Sequence, residues 1–149
     1  MRLISFLKLN EIKIGIVIND GHDVIDLSIA SPDLPRRMNE LINLGKRGLN
    51  KIDTIVSNPP SNSLYQFNDL ELLAPIPKPI RNIFCVGRNY HEHAQEFHDS
   101  GFDATAGADA IPEHPIIFTK ATTSVSGPND PIPAYLDSTN STDYEGELA

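Results

Sequence analysis

The 149-residue chain carries 12 Lys and Arg against 20 Asp and Glu, a formal net charge of −8, and its residues are 40% hydrophobic and 21% charged. That composition fits a folded domain, repels phosphate backbones and anionic lipid, and excludes nucleic acid and membrane surfaces as expected partners. No apolar run approaches ~18 residues and the start, "MRLISFLKLNEIKIGIVIND", alternates charged with apolar residues, so neither a membrane span nor a signal peptide is expected and the location reads as cytoplasmic.

In chain order, residues 2–8 and 12–18 are rich in β-branched and aromatic side chains. Asn19, Asp20 and Gly21 tolerate positive φ and precede "HDVIDL", which predicts strand, tight turn, strand. Leu34, Met38, Leu41 and Ile42 recur at helical spacing, with Pro35 in the first turn and Gly45 at the end. Leu49, Ile52, Ile55 and Val56 repeat the pattern more weakly before the break "SNPPSNS". Pro75, Pro77 and Pro79 force an extended segment, because each fixes its own φ and restricts its predecessor. A boundary is placed there, dividing a small N-terminal domain (1–74) from a second domain beginning at 75 and incomplete at 149. Beyond it, "NIFCVG" reads as a buried strand, "NYHEHAQEF" as a helix, residues 99–113 as a loop and "PIIFTKA" as a strand. The single Cys85 excludes an internal disulfide and reads as a buried structural thiol.

Three of the five histidines fall in "NYHEHAQEFH". Asn89 can cap the helix with Glu92 completing a capping box, which sets Tyr90, His93, Ala94 and Phe97 on one apolar face. The zinc pattern H-E-x-x-H begins at His91 and Glu92 but meets Gln95 where its second histidine belongs, so a zinc site is set aside. His93 with Glu96, one turn along, can act as a proton-transfer dyad, the carboxylate fixing the imidazole tautomer. The competing reading is a partly buried structural histidine beside a solvated glutamate. His91 and His98 read as surface residues.

At the end, "DYEGELA" in an extended strand projects Asp143, Glu145 and Glu147 from one face. Like charges about 7 Å apart call for water or a cation, and hard oxygen donors suit Mg²⁺, Mn²⁺ or Ca²⁺ over zinc or copper. A solvated acidic edge strand is the alternative, and with it a non-catalytic binding or assembly module. The strand stops mid-element at Ala149, so the chain is expected to be a piece of a longer protein.

Taken in order, "IFCVGRNYHEHAQE", "PIIFTKATTSVSGPNDPI" and "DYEGELA" resemble the fumarylacetoacetate hydrolase family, across about residues 81–149. The resemblance implies an α+β fold, mainly β: a small N-terminal α/β domain followed by the start of a mixed β-sandwich or roll catalytic domain. It implies an enzyme that hydrolyses, decarboxylates or isomerises small keto and diketo acids, and a homodimer. His93 and Glu96 would be the catalytic dyad, Glu145 and Glu147 ligands for Mg²⁺ or Mn²⁺, and Lys120 and Arg88 would face substrate, with Asp143 outside the ligand set. The family's third carboxylate ligand lies beyond Glu147, so metal binding by this chain alone is expected to be poor. Residues 98–114 correspond to a lid-like segment that excludes water on closure.

Overall fold

A computed structural model describes residues 1–100, 113–142, 144 and 146. Strands β1 (Arg2–Lys8) and β2 (Glu11–Ile18) form a hairpin whose two-residue turn, Leu9 and Asn10, takes positive φ at both positions, as a turn matched to right-handed strand twist requires. The expected turn at 19–21 is present, with φ of 50°, 54° and 101°, and leads into β3 (Asp23–Asp26). Two short strands, β4 (Leu64–Gln66) and β5 (Glu71–Leu72), complete an antiparallel sheet in the order β4-β3-β2-β1-β5.

The period-two pattern of "EIKIGIVI" decides what each face of this sheet does. Ile14 and Ile16 of β2, with Ile25 of β3, point into a core closed by α1 (Leu27–Ala30), α2 (Met38–Asn43) and α3 (Lys46–Ser57), which contribute Leu27, Met38, Leu41, Ile52 and Ile55. Gly15 faces the other way, beneath Phe6 and Val24, both fully buried. A Cβ built on Gly15 would lie 2.5 Å from Val24 Cγ1 and 3.0 Å from Phe6 Cε1, so the glycine makes room for two large neighbours. Asp26, also wholly buried, accepts a hydrogen bond from the Ser28 backbone N–H at 2.7 Å and caps α1.

The helices depart from the sequence expectation. The pattern at 34–45 predicts one helix, but only 38–43 are helical: Leu34 is buried ahead of the first turn and Pro35 precedes it too. The weaker pattern at 49–56 belongs to the longer helix, α3. Gly45, with φ of 53°, ends α2 and starts α3 within one residue, a junction that glycine makes without steric penalty.

After the proline-rich segment, β6 (Ile83–Gly87) pairs antiparallel with β7 (Ile116–Lys120), and α4 (His91–Asp99) follows β6. The expected buried strand is not buried. Phe84 is 72% exposed, Ile117 57% and Phe118 42%, and Cys85 is half-buried, because the described residues supply only two strands here and cover neither face. Among the described residues no helix is long and apolar enough to cross a membrane.

Gly15→Ala should destabilise the N-terminal sheet by roughly 1–3 kcal/mol through overpacking against Phe6 and Val24. Thermal unfolding followed by circular dichroism should show the melting temperature falling by several degrees; an unchanged midpoint would mean that this face relaxes freely.

Candidate active site

The candidate site is built at the junction of β6 and α4. Arg88 follows the last strand residue with φ of 54°, a left-handed conformation that a long side chain adopts at a cost of about 1–2 kcal/mol. The chain then runs extended through Tyr90, φ −110° and ψ 142°, before the helix begins at His91. The turn at Arg88 displaces the helix start by one residue from the sequence expectation. Tyr90 and not Asn89 occupies the capping position, no side chain caps it, and Glu92 falls one place short of its role in a capping box. Glu92 still lies in the first turn, where a carboxylate meets the positive end of the helix dipole.

On α4, Ala94 is 1% exposed and His93 half-buried beside it, while Tyr90 and Phe97 are exposed and not inward as the face pattern suggested. Glu96 is exposed and one turn from His93, near enough to reach it, yet no hydrogen bond joins the two among the described residues. Water competes for an exposed carboxylate, and catalytic hydrogen bonds commonly tighten only with substrate in place.

The Arg88 guanidinium lies 4.6 Å from the centre of the Phe97 ring. Phe97 sits four residues beyond His93, so it shares a face of α4 with the histidine. Phe97 thus supports Arg88 from the helix that carries His93, and this aromatic shelf has no counterpart in the sequence expectation. Its sequence signal is the i, i+4 spacing of His93 and Phe97, which by itself suggests core packing. The sequence places His98 at the surface; its ring is half-buried, and Nδ1 is shielded from solvent with no hydrogen-bond partner among the described residues.

Lys120 is not brought to this group by the ribbon. It pairs with Ile83 at the start of β6, whereas Arg88 leaves the other end, so roughly 15 Å of strand separates them. Its exposed Nζ lies 5.9 Å from the Phe118 ring on its own strand. Asp143, Glu145 and Glu147 lie outside the described residues, as does most of the lid-like segment. Among the described residues no three His, Cys, Asp or Glu side chains cluster as a metal site would need.

The approach to the acidic stretch is nonetheless organised. Asp137 accepts hydrogen bonds from the backbone and hydroxyl of Thr139 at 3.1 and 2.9 Å and from the backbone and hydroxyl of Thr142, both at 2.6 Å. These donors, Thr142 foremost, hold its carboxyl well below the usual range.

Residues 82–149 match the family described as Fumarylacetoacetate (FAA) hydrolase C-terminal. The oxaloacetate tautomerase fahd2, mitochondrial, of Xenopus laevis is 32% identical over 151 aligned residues, which cover all of this chain and 43% of the relative. The chain belongs to the fumarylacetoacetate hydrolase family. Another relative within reach, the oxaloacetate tautomerase YisK of Bacillus subtilis (strain 168), is 44% identical over 87 residues, covering 58% of this chain and 26% of the relative. The fumarylacetoacetate hydrolase of psychrophilic Exiguobacterium antarcticum superposes with a TM-score of 0.54 at 28% identity, across 93% of this chain and 42% of that one. The mixed, mainly β architecture is accordingly that of a fumarylacetoacetate hydrolase, and the chain spans less than half the length of these relatives.

Asp137→Ala should speed amide exchange at Thr139 and Thr142 without affecting the sheet of β1–β5. Because the folded carboxyl titrates below its unfolded value of about 3.9, its contribution is present above that value and is lost only as pH falls through the lower folded one. Exchange at those two amides, corrected for intrinsic rates, should stay protected from neutrality down to about pH 4; protection lost at mildly acidic pH would contradict the assignment.

Proposed function

We propose that this chain supplies the N-terminal domain (1–74) and the first part of the catalytic domain (75–149) of a metal-dependent enzyme acting on small β-diketo or oxo acids. Of the three reactions open to such a site, C–C hydrolysis, decarboxylation and keto–enol isomerisation, we favour the last, since two similar proteins are described as oxaloacetate tautomerases. The observation that carries the reading is the Arg88 guanidinium held 4.6 Å from the centre of the Phe97 ring, on the helix that also carries His93: a cation and a group able to take up and return a proton on one short segment.

Arg88, braced on Phe97, pairs with a substrate carboxylate and sets the distance of the reacting carbon from the helix. His93 takes the proton from the carbon next to the keto group and gives it back at the former carbonyl oxygen, so the enol forms with no change in composition; the reverse steps regenerate the ketone. Glu96 accepts from the second imidazole nitrogen and orients the ring. Glu145 and Glu147 offer the hard oxygen donors that Mg²⁺ or Mn²⁺ prefers, with Ca²⁺ a poorer fit for rapid turnover. Such an ion, when bound, lowers the cost of negative charge on the substrate oxygens. Lys120, distant along the ribbon, would meet only the far end of a longer substrate. A soluble homodimer in the cytoplasm is the assembly and location we assign.

In a form of the protein carrying the complete catalytic domain, His93→Ala should lower enol–keto interconversion of oxaloacetate by about 10²–10⁴-fold, the usual worth of a positioned acid–base group. Arg88→Leu should raise KM more than it lowers kcat, and chelation should abolish turnover that Mn²⁺ restores. Undiminished turnover in the His93 variant would remove that residue from the mechanism. Titration with Mn²⁺ and oxalate together separates this reading from a non-catalytic assembly module, which should bind neither.

A further inference from the structure

A concavity lies away from the β6–α4 junction and shares no residue with it. This groove, about 980 Å³, runs between the start of β2, α1, the entry to α2 and the proline-rich segment 76–80. Its volume is at the upper end of small-ligand sites, far more than a four-carbon acid fills. The walls come from segments distant in sequence and are tied together by hydrogen bonds: Ser5 Oγ donates to the Pro75 carbonyl at 2.8 Å, and Asn39 Nδ2 to the Lys78 carbonyl at 2.9 Å.

Two chemistries meet in the groove. Ile14, Leu27 and Met38 present edges of the packed core, and Ile12, Ile76 and Ile80 extend this apolar strip outward, Ile80 being 74% exposed. Around it stand Lys13, Arg36, Arg37 and Lys78, four of the chain's 12 Lys and Arg residues, with Glu11 the only acid in the lining. Lys13 is occupied, its Nζ 3.1 Å from Glu11 and 3.2 Å from Ser28 Oγ. The side chains of Arg36, Arg37 and Lys78 make no hydrogen bond or ion pair among the described residues. In a protein of net charge −8, three uncommitted cations beside an exposed isoleucine strip form a local positive field over an apolar surface.

We infer that this groove is a binding site for an amphipathic carboxylate, an aliphatic chain ending in a single acid group. The isoleucine strip takes the chain and the Arg36, Arg37 and Lys78 side chains take the acid. Charge complementarity selects the carboxylate over a neutral lipid, and the length of the apolar strip selects it over a short acid. The site is independent of the oxo-acid chemistry at Arg88 and His93.

Isothermal titration of the 149-residue chain with sodium decanoate, below its micellar range, tests this directly, with 1-decanol and butyrate as comparison ligands and decyl phosphate as a second head group. Saturable one-to-one binding of decanoate is expected, with both comparison ligands and the Arg36→Glu/Arg37→Glu double variant about tenfold weaker or worse, the worth of one charge-assisted contact. Lys78→Glu, on a separate segment, should weaken it likewise and serves if the double variant fails to fold. Tighter binding of decyl phosphate would reassign the head group and overturn the carboxylate. Absence of saturable binding, equal binding of decanol, or indifference to charge reversal would overturn the site. So would a dimer that the double variant splits in the ultracentrifuge, which would give the groove to a second copy, or loss of decanoate binding in a longer form whose added residues cover it.

Discussion

The left-handed turn at Arg88 is the constraint on which the candidate site depends. A strand leaving a sheet can enter a following helix in several directions, and one residue with positive φ, followed by an extended Tyr90, fixes which is taken. The conformation is unfavourable for arginine in isolation, so something must hold it. Two contacts do: the guanidinium rests over Phe97 from the last turns of the helix, and Ala94, fully buried, seats the helix against its surroundings. The side chain that endures the strained backbone is thus braced by the helix that the strain positions.

The two parts of the chain are held together to different degrees, and this bears on what each can do. The N-terminal sheet closes its own core: both faces of β2 and β3 are filled, by isoleucines on the helix side and by Phe6 and Val24 above Gly15 on the other. The β6–β7 ribbon has apolar side chains on both faces and no cover among the described residues. An isolated two-stranded ribbon is marginal in water at best, so its order depends on packing from outside the two strands. The precision of the Arg88 turn is therefore borrowed from packing, whereas the groove along β2 rests on a core that is already complete.

How much of this was legible in the sequence follows from the range of the interactions involved. Period-two alternation and positive-φ residues are local signals, and "IKIGIVI" followed by "NDG" yielded the hairpin sheet in its correct place. The helices were harder because Gly45 serves two of them at once, and a pattern read as one helix with a weak successor became a short α2 and a long α3. The Asn89 cap failed for a similar reason: nothing in the residue type announces that Arg88 will turn left-handed, and that single dihedral moves the helix start. Local spacing and family resemblance point to His93, Glu96 and Arg88, but the Phe97 shelf depends on a contact nine residues long. The groove was invisible altogether, since Ser5 meets Pro75 and Asn39 meets Lys78 only after the chain has folded.

The distribution of charge gives the last step. A chain with an excess of eight negative charges disfavours anions over most of its surface, so an acid substrate needs a local exception. At the β6–α4 junction the exception is one arginine whose aromatic support limits its freedom, which lowers the entropy lost when it grips a carboxylate. Lys120 offers the same charge with looser support, its Nζ 5.9 Å from the Phe118 ring, at the end of an exposed strand and on a flexible stem. Between two cations of equal charge, the one already held in place forms the more discriminating contact. On the function proposed above, the carboxylate end of a small oxo acid would therefore fall to Arg88, and Lys120 would serve what lies further out.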